Sequence, residues 1–178
     1  IFNPDMTTTS YIVTGSTLDA KGTGSQYVPA VNFYHVKISG ARAGGSTITL
    51  VNGGTIGIAG HGSVTATGAS YDLTNNTIDI NGGNQIVDGF TFNNVIFSNG
   101  GTKTAVGDLD VYNSFTVTPG VILDMNNYRL KGTMTSVANA GTIRTSLPTA
   151  TSTAPIPADK TWGGTVEYYA TTPQTVLA

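Results

Sequence analysis

Asp108 and Asp110 flank Leu109, so on a β-strand both carboxylates project from one face. Carboxylates paired in this way could act as general acid and base on a glycosidic bond, or as oxygen ligands of a calcium ion. An alternating Asp-Leu-Asp is also what any half-exposed strand presents. The pair is therefore kept only as a secondary metal candidate, no residue is assigned to catalysis, and no cofactor is called for. His35 in "NFYHVKIS" and His61 in "AGHGS" read as strand and glycine-turn positions. A zinc site or a Ser-His-Asp triad would need converging partners that their spacing does not supply. Asp72 and Asp124 occupy equivalent places in two similar segments, and recurrence within one chain points to a turn role rather than to a unique site. "GGNQIVDGF" (82–90) lacks the glycine and aspartate spacing of calcium-binding nonapeptide repeats.

Two further residue types carry possible chemistry. Thirty threonines include Thr-x-Thr pairs at 47–49, 65–67, 116–118 and 133–135, and a flat rank of such pairs could order water, as an ice-binding surface does. The preference of threonine for strands accounts for them equally well. Tyr27, Tyr34, Tyr112, Tyr128, Tyr168, Tyr169 and Trp162 could form a sugar-stacking strip or could pack at the ends and edges of a core. "NNT" at 75–77 fits an N-glycosylation acceptor by pattern alone.

The elements that would position these groups are strands. "STITLV" (46–51), "SVTAT" (63–67) and "SFTVT" (114–118) alternate apolar and polar residues with a period of two. Turn signals punctuate them: "NGG" at 52–54, 81–83 and 99–101 by "NGG", and "PG" at 119–120. No window shows helical periodicity. The expected fold class is all-β.

Internal repetition favours a parallel β-helix (β-solenoid) of imperfect repeats over the alternative, a β-sandwich. "SQYVPAVNFYHVKISG" (25–40) runs with "NQIVDGFTFNNVIFSNG" (84–100), matching Gln26 with Gln85, Val28 with Val87, Phe33 with Phe92 and Val36 with Val95. "STLDAKGTGSQYVPA" (16–30) runs without a gap against "GTVEYYATTPQTVLA" (164–178), matching Thr17 with Thr165, Asp19 with Glu167 and Gln26 with Gln174. The expected organisation is solenoid repeats over 1–144, a Pro/Thr/Ala-rich loop or join over 145–162, and the start of a further repeat block over 163–178. The opening "IFNPDMTTTSY" has no initiator Met and no signal-peptide pattern, which fits an internal piece of a longer protein.

Composition narrows the function. Charged residues are 10% of the chain, against about 25% in average globular proteins. Eight basic residues give no footprint for nucleic acid, and no apolar run approaches the ~20 residues of a membrane span. Cysteine is absent, so disulfides and thiolate chemistry are excluded.

"LDVYNSFTVTPGVILDMNNYRLKGTMTSVANAGTIRTS" (109–146) resembles the degenerate repeats of very large secreted surface proteins of Bacteroidota. The pattern is carried by Gly120, Leu123, Asp124, Asn126, Asn127, Gly132, Asn139, Gly141, Thr142 and Ile143. "GGTVEYYATTPQTV" (163–176) resembles the phrase that opens a new block in those proteins, with Tyr169 and Ala170 where a polar residue and glycine are usual. The resemblance implies an extracellular, cell-surface repeat region of an adhesin or surface filament, exported by the type 9 route. Its partners would be neighbouring repeats of the same longer chain, with surface glycans or other surface proteins as further candidates. The expected function is thus non-catalytic and structural or adhesive. A polysaccharide-binding or polysaccharide-degrading β-helix and an ice-binding protein stand as alternatives.

Overall fold

The computed structural model describes residues 15–148, 154–174 and 176. Residues 1–14 of the first expected block, 149–153 of the join, and 175, 177 and 178 of the last block lie outside the described residues. The chain winds as a parallel β-solenoid of about seven turns, with strands and no helix among the described residues. The first turn contains β1 (Thr17–Ala20), β2 (Gln26–Val28) and β3 (Asn32–Phe33). The second contains β4 (His35–Ile38), β5 (Ala41–Leu50) and β6 (Thr55–Ile58), and the third β7 (Gly62–Val64), β8 (Thr67–Asp72) and β9 (Thr77–Ile80). The fourth and fifth turns have two strands each: β10 (Gln85–Val87) with β11 (Phe90–Phe97), and β12 (Gly101–Ala105) with β13 (Leu109–Val117). Then come β14 (Val121–Asp124), β15 (Leu130–Lys131) and β16 (Ser136–Asn139), and finally β17 (Thr142–Thr145) and β18 (Thr165–Tyr168).

Every strand pairing is parallel, which a hairpin-built sandwich cannot give. The first face is an eight-stranded sheet in the order β1-β4-β7-β10-β12-β14-β17-β18. The second face is β2-β5-β8, and the third runs β3-β6-β9-β11-β13 before ending on β15 and β16. β11 and β13 bend round the corner between the second and third faces, where their register shifts between Phe92 and Asn94.

Period-two alternation sends one set of side chains into a single continuous core. Ile48, Ile56, Val95, Phe97, Val111, Phe115, Leu123 and Ile143 are all buried there. Within the segment 145–162, Ile156 is also buried, and Leu130 N–H donates to the Pro155 carbonyl at 3.0 Å. Parallel stacking leaves the bends between faces as the places where backbone groups lack ladder partners, and buried polar groups there need hydrogen bonds. Side chains supply them, one corner at a time.

Candidate functional site

The polar chemistry of the molecule is concentrated at the three corners and on the outer side of the first face. At the corner between the first and second faces, Arg42 is buried with its guanidinium donating to four carbonyls: Gly22 (2.8 Å), Gly24 (2.9 Å), Ala20 (2.6 Å) and Ser39 (3.3 Å). Gln26 Oε1 accepts from Gly22 N–H at 2.8 Å in the same corner. At the far end of the coil Gln174 repeats that bond with Ala170 N–H at 2.7 Å, and its amide donates to the Thr145 and Leu147 carbonyls. The corner between the third and first faces uses Gln85 and Lys103. Gln85 accepts from Gly82 N–H (2.6 Å) and donates to the Ile58 (2.8 Å) and Gly60 (2.7 Å) carbonyls. The Lys103 ammonium, fully buried, donates to the Gly82 and Gly83 carbonyls. Burial pushes the Lys103 amine down to about 8, with the Asp79 carboxylate acting in the opposite sense. At the remaining corner an asparagine ladder climbs the coil. Asn76 donates to the Val51 carbonyl, Asn94 to the Asn76 carbonyl at 2.9 Å, and Asn113 to Asn94 Oδ1 at 2.8 Å. Thr135 closes it on Asn113 Oδ1 at 2.6 Å.

The candidate carboxylates are part of this bracing. Asp108 accepts from Arg129 N–H at 3.0 Å and from the Lys131 ammonium at 3.2 Å. Asp110 lies on β13 directly opposite Lys131. Among the described residues no three His, Cys, Asp or Glu side chains converge as a metal set. Asp72 and Asp124 make the same local bond, each accepting from the N–H two residues on, Thr74 (3.1 Å) and Asn126 (2.9 Å). Asp124 accepts two more donors, Arg144 (2.8 Å) and the Tyr169 hydroxyl (2.8 Å), while the Arg144 guanidinium lies 5.3 Å over the Tyr169 ring. Burial first, and the Asp124 carboxylate among lesser influences, raise the Tyr169 hydroxyl above its ordinary value.

The histidines meet, which their sequence spacing did not suggest. The His61 backbone N–H donates to His35 Nδ1 at 2.9 Å. His61 Nε2 in turn lies 2.8 Å from Asp88 Oδ1. The parallel register explains both contacts, because Val36 faces Gly62 and Gly62 faces Val87. The Thr-x-Thr pairs are dispersed. Thr47 and Thr49 belong to the second face, Thr116 to the third, and the Thr118, Thr133 and Thr135 hydroxyls donate to carbonyls of the preceding turn. Trp162 packs edge-on against Phe115 at 5.8 Å and donates to the Pro157 carbonyl at 3.1 Å. Arg42 and Lys103 were not singled out from sequence. The signal for Lys103 was its inward parity in "GTKTA", between two outward threonines.

Compared with protein-family models, with curated proteins and with solved structures, the chain matches none.

Proposed function

We propose that this chain is a non-catalytic structural and adhesive segment of a long extracellular bacterial surface protein or filament. One observation carries the reading: the two ends of the coil are in phase. β1 and β18 are the terminal strands of the same eight-stranded sheet, and each is followed by the same corner bond, Gly22 to Gln26 and Ala170 to Gln174. The phrase that begins the coil therefore begins again at its far end, on the same face. A further turn of the same kind can be added without a change of register. Such a stack is mechanical, since each turn is held by its neighbours through parallel ladders, corner side chains and a shared core. The acidic groups of the outer surface support the same reading, because Asp88, Asp108 and Asp124 each pair with a cation or histidine of a neighbouring turn.

Among the described residues, no strand covers the outer edges of β1 and β18, and free parallel edges recruit further strands. Sedimentation velocity over a range of concentrations tests this. End-to-end association is expected, and a tandem duplicate of the sequence should scatter X-rays as one rod of unchanged cross-section and about twice the length. A compact monomer at every concentration, with the duplicate behaving as two separate bodies, overturns the proposal. Glycan-array binding or thermal hysteresis would instead favour the polysaccharide or ice reading.

A further inference from the structure

The joint between the third and fourth turns differs from the joints on either side of it. The second and third turns are 26 and 25 residues long, whereas the fourth, fifth and sixth are 18, 20 and 20. Here a wide turn sits under a narrow one and the faces do not all stay in contact, whereas the 18-residue first turn keeps all three faces paired with the second. On the first face the ladder thins to one bridge, Gly62 to Val87, where β4 and β7 share three paired positions. On the second face the ladder stops, because β8 has no backbone pairing with Phe90–Phe92. Only edge-to-face rings cross there, Tyr71 on Phe90 at 5.6 Å, with Phe90 in turn on Phe92 at 5.3 Å. The third face alone is intact, with β9 and β11 in register over four residues.

A void of about 60 Å³ lies in the core at this joint, walled by Val36, Ile58, Val64, Ile80, Val87 and Phe92. Gly62 is part of its wall. In the inward column Val36, Gly62, Val87, the middle position has no side chain. The volume decides against a ligand site, being less than half of the ~150 Å³ that accepts a benzene. What remains is a packing deficit at a joint whose ladders are weaker than those of the joints on either side.

We propose that this joint is a built-in parting plane: under heat or axial load the coil opens there before it opens at the joints on either side, into a three-turn block and the block above it, with the third face the last to part. The inference does not rest on the proposed function. Opening would break the Gly62–Val87 bridge and expose the already unpaired edges of β8 and of Phe90–Phe92, while leaving both blocks wound.

Amide hydrogen exchange on the intact chain tests the plane, using one corner that recurs in four successive joints. Asn81 N–H donates to the Ile58 carbonyl (3.0 Å), Ser98 to Ile80 (3.1 Å), Thr118 to Phe97 (3.0 Å) and Ala140 to Val117 (2.8 Å). Only the Ser98 bond crosses the proposed plane. Fraying from the ends would make the middle amides the slowest to exchange. A parting plane makes Ser98 a local minimum of protection, exchanging roughly tenfold or more faster than Asn81 and Thr118 once intrinsic rates are removed. Gly62→Ala provides the second arm. A Cβ there meets the flexible end of Ile58 at 3.0 Å and enters the void, so Ser98 should slow more than Thr118 does. If Gly62→Ala does not fold, the wild-type profile decides alone. Protection at Ser98 equal to or above that of Asn81 and Thr118 overturns the proposal.

Discussion

The two blocks on either side of this joint solve the same packing problem with different side chains. Below it, the wide second and third turns enclose a core of Val36, Ile38, Ile48, Ile56, Ile58, Ile78 and Ile80, and a void remains. Above it, narrower turns enclose Phe97, Phe115, Leu109, Leu123, Met125 and Met134, each at most 2% exposed. Aromatic rings interlock along the axis there, Phe97 with Phe115 and Phe115 with Trp162, both at 5.8 Å. In a coil, turn length and side-chain volume must therefore be matched turn by turn.

The sharpest way to break the contrast is to remove a wall from each block. Phe115→Ala deletes the ring that links Phe97 to Trp162 in the tight block, and should cost ~4 kcal/mol in urea unfolding. Ile58→Ala deletes a side chain that already borders the void, has fewer neighbours to lose and sits where the walls can close. Its cost should be nearer ~2 kcal/mol. Equal losses would mean that the two cores are equally well packed.

The blocks also differ in the cation each buries. The lower block buries Arg42 and the upper Lys103, whose amine burial pushes down to about 8; arginine as a residue type keeps its charge across the working pH range. Below pH 8 both folded and unfolded chains hold the Lys103 proton, and the folded chain bears the whole cost of a buried charge. Between about 8 and the ordinary value of 10.5 the unfolded chain binds the proton and the folded chain has lost it, so stability rises with pH across that window. The stability of wild type relative to Lys103→Met should therefore rise from pH 7 to pH 10, and wild type relative to Arg42→Met should not change. A flat difference for Lys103→Met would place its amine in contact with water.

Much of this contrast was hidden from sequence for a definite reason. Strand parity was legible, and "STITLV" and "SFTVT" point inward with Ile48 and Phe115 as their alternation requires. The repeats were legible as local chemistry but not as phase. Gln26 and Gln85 look equivalent and make similar bonds, yet they brace different corners, and their stacking partners are Ile48 and Lys103. Asp72 and Asp124 share a turn bond while lying on different faces. A three-cornered coil asks for much the same strand-turn phrase at each corner, so likeness between segments fixes the phrase and leaves open which corner it occupies. Only 16–30 against 164–178 matched in phase as well, because those segments follow the same face. Which residues meet across turns depends on turn length, and that appears only once the ladders are paired. His61 with Asp88 is the clearest instance.

The smallest expected effect probes the joint from the outer side. The Tyr71 hydroxyl is buried near Phe90 and has no hydrogen-bond partner among the described residues, and burial raises its pKa. A buried hydroxyl without a partner is unfavourable, while the ring beneath it bridges the two blocks. Tyr71→Phe keeps the ring and removes only the oxygen, so stability should hold or rise, by up to ~1 kcal/mol. The gain should be larger than for Tyr112→Phe, whose ring is exposed. A loss above ~1 kcal/mol would show that the hydroxyl helps to hold the two blocks together, and the unpaired stretch of the second face would then be more strongly joined than its backbone indicates.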